Sequence, residues 1–287
     1  FEGLEVSVDA ARSFYQTERL LASGHISPIG TLKRSSNKAL LVSVAAGDGN
    51  LLEAVYKPAA FERPLWDFEH RTLYKRELAA YKVSCALRWW IVPPTVTRDG
   101  PYGVGSLQVF VDAVAGRTYF EIRRDPTKEI DLARIFAFDV VVNNADRKAG
   151  HCLQTRDGKV WSVDHGTCFH EDYKLRTVMW DMGGRTLEPE ILEDLERLWK
   201  RLDSLERSFG RKPAMGSTVD SPSKHGLRFS ARSLSSHREG QLDPLHGLKE
   251  LLSEAEIRAM RKRLQVLLSS GLLPSGGSDA DFPWPVI

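Results

Sequence analysis

Residues 139–169, DVVVNNADRKAGHCLQTRDGKVWSVDHGTCF, decide how the rest of the chain is read. The run begins as the end of an apolar helix, Leu132–Val142. It passes into a polar loop holding Asn143, Asn144, Asp146, Arg147, Lys148 and His151. Turn residues at Arg156-Asp157-Gly158-Lys159 then fold His151–Gln154 back on Val160–Val163 as two short strands. That hairpin delivers a second acidic motif, Asp164-His165-Gly166, and can bring the Asp146 and Asp164 carboxylates to the same end of a small sheet. Two carboxylates beside Asn and Lys suit a place where a divalent cation meets phosphate, because Mg²⁺ prefers oxygen ligands and takes few of them from protein. The plainer reading is an exposed turn and a hairpin with scattered surface charge, since Asp and Asn favour turns for backbone reasons.

Upstream, the pattern is β. Strands are predicted at Ile26–Lys33, Lys38–Ala45 and Leu51–Lys57, and two more at Ile91–Thr97 and Ser106–Asp112. The third ends in Tyr56-Lys57-Pro58. A lysine there is either a snorkelling edge residue or a buried partner for an anion. A helix over residues 72–88 follows, with Leu73, Ala80, Tyr81, Ser84 and Leu87 in one apolar stripe. Glu77 falls inside that stripe. A carboxylate on a core face needs a partner, and Lys57 is the nearest candidate. The segment Glu62–Phe68 is too aromatic for a free linker and is expected to pack on the strands. Downstream of the hairpin, helices are predicted near Pro189–Leu205 and over 254–268. The second carries a Ser253/Glu256 capping box and a stop at Gly271. The apolar tail, Phe282–Ile287, is expected to dock.

These elements give an α+β chain in two lobes. Residues 1–24 form an N-terminal helix, 25–112 an antiparallel sheet with one helix, and 113–287 a mainly helical lobe. Residues 208–241, rich in Ser, Gly, Arg and Lys, read as a flexible insertion. The 40 basic and 38 acidic residues of the 287 nearly balance, which argues against a dedicated nucleic-acid binder. No stretch reaches the roughly 18 apolar residues of a membrane span, and no signal peptide is visible. Three cysteines without a paired spacing read as reduced, buried thiols in a cytoplasm. The chain begins at Phe1 rather than Met, so the natural N-terminus is expected further upstream.

Several motifs occur in a specific order: LLASGHISPIG (20–30), VYKP (55–58), ERPLWDF (62–68), the Glu77 helix, VPPTVTRDGPYGVGSLQVFVD (92–112), FDVVVNNADRKAGH (138–151), VDHGTCFH (163–170), KLRTVMW (174–180) and the tail Pro283-Trp284-Pro285. On these the chain resembles the phosphatidylinositol 3-/4-kinase-like superfamily, and within it a bacterial, actinobacterial-type family related to HipA-like atypical kinases. The resemblance implies a two-lobed kinase-like fold and an ATP-dependent phosphotransferase using Mg²⁺ or Mn²⁺. It places Ser35, Ser36 and Asn37 on the nucleotide phosphates and Lys57 on the α- and β-phosphates, positioned by Glu77. It makes Gln108–Val111, with Gln108, Phe110 and Val111, the adenine hinge. Asp146 becomes the catalytic-loop acid and Asp164 the metal-binding acid. There is one departure. Where the family has a metal-binding Asn five residues after the catalytic Asp, this chain has His151, a ligand better suited to softer ions than Mg²⁺. His151 then binds Mn²⁺, hydrogen-bonds a phosphate, or marks lost catalysis. Asn144 is the substitute oxygen ligand.

Two other readings compete with an active enzyme. One is a nucleotide-binding pseudokinase. The other is a metallohydrolase built from His151, Cys152, Asp164, His165, Cys168 and His170, for which no zinc-ligand spacing is met. The acceptor is a hydroxyl on a protein, a small molecule or a lipid headgroup. Fold does not fix it.

Overall fold

The structure is a computed structural model that describes residues 2–32, 38–47, 49, 51–209, 243–276 and 278–285. The expected phosphate loop, Ser35-Ser36-Asn37, lies outside the described residues, as does the expected insertion from residue 210 onward.

Helix α1 (Glu2–Ser23) leads into β1 (His25–Thr31), β2 (Leu40–Ala45) and β3 (Leu51–Pro58). Helix α2 (Leu73–Ala86) follows, then the hairpin β4 (Thr95–Gly100) and β5 (Gly103–Val109). The five strands form one antiparallel sheet in the order β1-β2-β3-β5-β4. Side chains alternate across a strand, so Leu40, Val42, Val44, Ala54 and Tyr56 reach one small core with Leu21, Ile26 and Leu107. Lys57, next to Tyr56, takes the opposite face. Close packing of β3 on β5 needs Gly105. A Cβ there would lie 2.4 Å from the Lys57 carbonyl oxygen and 2.8 Å from the Pro58 Cα.

Strand β4 starts at Thr95 rather than at the expected Ile91. Pro93 and Pro94 have no N–H for a ladder. Ile91 and Val92 instead donate their N–H groups to Ser84 Oγ at 3.0 and 3.2 Å, and the Ile91 carbonyl accepts from Ser162 N–H at 2.8 Å. They tie the end of α2 to the second hairpin.

The rest is mainly helical. A short turn of helix, α3 (Tyr119–Ile122), precedes α4 (Glu129–Val142). The hairpin β6 (Cys152–Gln154) and β7 (Val160–Ser162) comes next, then α5 (Pro189–Glu206) and α6 (Glu254–Ser270). Helix α4 is buried nearly all round, which its apolar run Ile135–Val142 requires. Ile191, Leu195, Leu198 and Leu202 of α5 and Ile257, Met260, Leu264 and Leu267 of α6 recur at helical spacing and share the large core with α4. Ser253 Oγ accepts the Glu256 N–H at 3.2 Å and Glu256 accepts the Ser253 N–H at 2.8 Å. Gly271 ends α6 at φ 64°.

The segment 62–68 does not pack on the strands as expected. Its acid is drawn to the open N–H groups that begin α2: Glu62 accepts from Leu73 N–H at 3.1 Å and Tyr74 N–H at 2.9 Å. Asp67 pairs with Lys174 at 2.8 Å, and Phe68 meets His170 edge-on beneath the Arg76 guanidinium. Trp66 is 92% exposed. The expected docking of the apolar tail is not what holds the chain end. The anchor is Asp281, just before it, whose carbonyl accepts from Thr177 N–H and Trp180 Nε1–H, while Phe282 and Trp284 are exposed. Cys85, Cys152 and Cys168 are free and buried. Among the described residues no helix is long and apolar enough to cross a membrane.

Candidate active site

The loop after α4 is built around one buried ion pair. Asp139 is the lone acid of an apolar helical run, and Arg147 reaches it with two hydrogen bonds of 2.7 and 2.8 Å. Neither side chain has any exposed surface. Its three remaining N–H groups are shared among the carbonyls of His151 and Val163, Ser162 Oγ, and His165 Nε2 at 2.9 Å. One guanidinium therefore binds the helix, the loop and both ends of the hairpin together. Its charge forbids a second one beside it. Burial, reinforced by Arg147, holds His165 well below the usual imidazole range, and the ring is neutral. Asn143 closes α4 in a left-handed conformation, φ 55°, and its side chain ties down Lys174 N–H and the carbonyls of His170 and Asp172.

Asp146 sits at the tip of this frame. Its N–H donates to Asn144 Oδ1 at 3.0 Å, and its carboxylate lies 3.1 Å from Lys148 Nζ. Burial, opposed by Lys148, pushes the Asp146 carboxyl up to about 6. Asn144, expected as an oxygen ligand, is fully buried. Its amide nitrogen donates to Asp139 and its oxygen accepts from Asp146, so both ends serve the loop. The segment 174–178 runs alongside: Arg176 N–H donates to the Asn144 carbonyl, Arg147 N–H to the Arg176 carbonyl, and Val178 N–H to the Arg147 carbonyl.

The hairpin places Asp164 opposite the sheet, with φ 62°, an uncommon conformation for a non-glycine residue. Lys57 Nζ lies 2.8 Å from Asp164 Oδ1 and 2.5 Å from Glu77 Oε1. Glu77 is 2% exposed, and its second oxygen accepts the His165 N–H at 3.1 Å. Burial disfavours the Lys57 charge, but the Asp164 and Glu77 carboxylates outweigh it and hold the ammonium above its ordinary range. Burial likewise disfavours ionised Asp164, but Lys57 outweighs it and keeps that carboxyl far below the ordinary range. Asp164 Oδ2 also lies 3.3 Å from His151 Nε2, and burial pushes the His151 imidazole down to about 4. Asp164 remains the open acid of the cluster, with 44% of its side chain exposed.

The structure thus brings Lys57, Glu77, Asp164 and His151 together, with Asp146 held on the loop that frames them. The residues expected to form the hinge divide. Gln108 is buried, with its amide on Thr95 Oγ1 at 2.8 Å, and Phe110 N–H is taken by the Glu53 carbonyl. Val111 N–H makes no backbone hydrogen bond among the described residues. The metal cluster of the metallohydrolase reading does not form. Cys152 and Cys168 are fully buried in the core, His165 faces Arg147, and among the described residues no group of three or more His, Cys, Asp or Glu is arranged to hold an ion. Sequence reasoning overlooked the roles of Asp139, Lys148, Ser162 and His165. Only Asp139 carried a signal, as a single acid where the helix is otherwise apolar.

A strand lysine bridged to a helix glutamate, facing an acid-bearing hairpin on a helical body, defines a protein-kinase-like fold. A solved Golgi casein kinase is similar, with TM-score 0.52 and 15% identity, over 96% of this chain and 79% of that one. The chain belongs to the family of protein Rv2133c of Mycobacterium tuberculosis, to which it is 33% identical over 93% of its own length and 94% of that protein's. A shorter stretch, 35% of the chain, is 35% identical to phosphatidylinositol 4-kinase gamma 3 of Arabidopsis thaliana but spans only 18% of that protein. No family model matches.

Proposed function

We propose that the chain is an ATP-dependent phosphotransferase that moves the γ-phosphate to a hydroxyl acceptor, on the phosphatidylinositol 3-/4-kinase-like branch of the kinase fold. On this reading the sheet-bearing lobe runs over 25–112, the helical lobe begins at 113, and the three unpaired thiols fit a cytoplasmic setting. One observation carries the reading: the half-buried Lys57 ammonium is held between Glu77 and Asp164. Phosphoryl transfer needs cationic groups on the phosphates and an acid at the attacking hydroxyl, and little covalent chemistry from the protein.

Lys57 is assigned to the α- and β-phosphates, with Glu77 fixing its direction, and Ser35, Ser36 and Asn37 to the phosphates from the β1–β2 connection. Val111 N–H is the adenine donor. Asp164, the open carboxylate, fits Mg²⁺ or Mn²⁺, since such ions keep several waters and need few protein oxygens. His151, a neutral imidazole beside it, fits the softer Mn²⁺. The cation would neutralise charge on the β- and γ-oxygens. Asp146 accepts a hydrogen bond from the acceptor hydroxyl, and Lys148 stabilises the negative charge of the transferring group. Asn144 orients Asp146 through its N–H.

The test is nucleotide binding by calorimetry. Affinity should require a divalent cation and be lost in Lys57→Ala and Asp164→Ala; unchanged affinity in both variants would sink the reading. A pseudokinase is the second reading, favoured by His151 in the position of the family's asparagine. ATP binding without transfer or hydrolysis in either Mg²⁺ or Mn²⁺ would support it.

A further inference from the structure

An open pocket of about 300 Å³ lies on another face of the hairpin, lined by Trp89, Ile91, Val160 and the turn at Asp157–Lys159, and by Lys128, Asp131 and Arg134. It shares no residue with the Lys57–Asp164 cluster. Its lining carries three cations and two carboxylates, with Glu190 just outside, and the pairing among them leaves donors unused. Asp157 is committed to its own turn, accepting from Thr155 Oγ1–H and Lys159 N–H. Asp131 is 3.6 Å from Lys128, a loose contact. Arg134 turns Nη2 to Glu190 at 2.8 Å, while its buried Nε–H has no partner. Lys159 has no carboxylate within ion-pair distance among the described residues. Its ammonium instead lies 3.6 Å from the Trp161 ring centre and 5.0 Å from that of Phe14.

We propose that this pocket binds the phosphate group of a small molecule, with Lys159, Lys128 and Arg134 as its donors and Trp89, Ile91 and Val160 supporting the apolar body. Lysine and arginine together suit phosphate oxygens, which take charge-assisted hydrogen bonds from both. A lysine whose neighbouring acid, Asp157, is beyond ion-pair distance and held in its own turn, beside a guanidinium with a free N–H, offers donors that an added anion can take. Burial supports the same conclusion, pushing the Lys159 amine down to about 8, a cost that a bound phosphate would reverse. The placement also gives such a ligand a route to the other site. Lys159 immediately precedes β7, and β7 leads directly to Asp164.

The test uses the full chain, free of metal and nucleotide, with inorganic phosphate as probe and chloride at equal ionic strength as control. Reductive methylation at pH 8, read by mass spectrometry, should label Lys159 readily, and phosphate should slow it several-fold. Phosphate should also raise the melting temperature of the wild type and of Lys57→Met, and that increment should vanish in Lys159→Met and Arg134→Met. Labelling of Lys159 that phosphate does not slow would overturn the proposal. So would a phosphate increment that survives Lys159→Met, or one that depends on Lys57, which would put the anion in the nucleotide cleft. Because the Lys57→Met arm is separate, failure here leaves the kinase reading untouched, and the reverse also holds.

Discussion

Replacing Asp139 by Asn should lower the unfolding temperature of this protein measurably while leaving the side-chain volume unchanged. Asp139 and Arg147 are both wholly buried and joined by two hydrogen bonds. Asn keeps one acceptor but presents an amide N–H₂ to a guanidinium donor, and it leaves the Arg147 charge uncompensated. Removing one partner of a buried pair costs about 3–5 kcal/mol. Arg147 retains the carbonyls of His151 and Val163, Ser162 Oγ and His165, which puts the expected cost at the lower end, about 3 kcal/mol. For a chain of this size that is a fall in melting temperature of about 5 °C. Urea denaturation and calorimetry read it directly. A double variant, Asp139→Leu with Arg147→Met, leaves no buried charge but orphans the Asn144 amide and the Val163 carbonyl, so it should recover only part of the loss. It should not recover function, because the carbonyls of His151 and Val163 lose their common donor. A loss below about 1 kcal/mol for Asp139→Asn would refute the claim that this pair frames the loop.

Acid should destabilise the metal-free protein before the Asp164 carboxylate is neutralised. The unfolded chain protonates its histidines near pH 6.5, but folded His151 does so only at about 4 and His165 lower still. The unfolded state therefore binds more protons between those values, and stability falls as pH falls through that window. His151 alone contributes at most roughly 3 kcal/mol. Asp146, whose carboxyl is raised to about 6, works in the opposite direction between pH 3.8 and 6 and offsets part of it. Chemical denaturation from pH 7 to 4 should show the decline, and His151→Asn should flatten it. At the start of α6, Ser253→Ala removes the side-chain acceptor that caps the helix and should cost about 1 kcal/mol in the same assay.

The pairing of Lys57 with Glu77 was legible because a carboxylate in an apolar stripe states its need for a cation, and Lys57 ends the apolar strand that precedes the helix. The capping box of α6 and the buried character of α4 were legible for the same local reason. The start of β4 was misplaced because Ile91 and Val92 look like strand residues, and only the fold shows that Ser84 and Ser162 take their backbone. The 62–68 segment was misread because its aromatics drew attention from Glu62, whose partners are helix N–H groups with no sequence signature of their own. The Arg147 network was hidden for a further reason. Its partners are carbonyls, a serine and a histidine contributed by a hairpin, and backbone acceptors leave no trace in a sequence. Asn144 looked like an ion ligand because an amide oxygen after an apolar helix can serve either a cation or a loop, and folding commits it to the loop.

The central claim is that Lys57, Asp164 and Asp146 act on one triphosphate. The most direct measurement is release or transfer of labelled γ-phosphate by the wild type and by Asp146→Asn, in Mg²⁺ and in Mn²⁺, with nucleotide affinity measured alongside. The account predicts a measurable wild-type rate that Asp146→Asn abolishes while the nucleotide still binds. A rate that is the same in both proteins, or label that never leaves ATP with either metal, would contradict it.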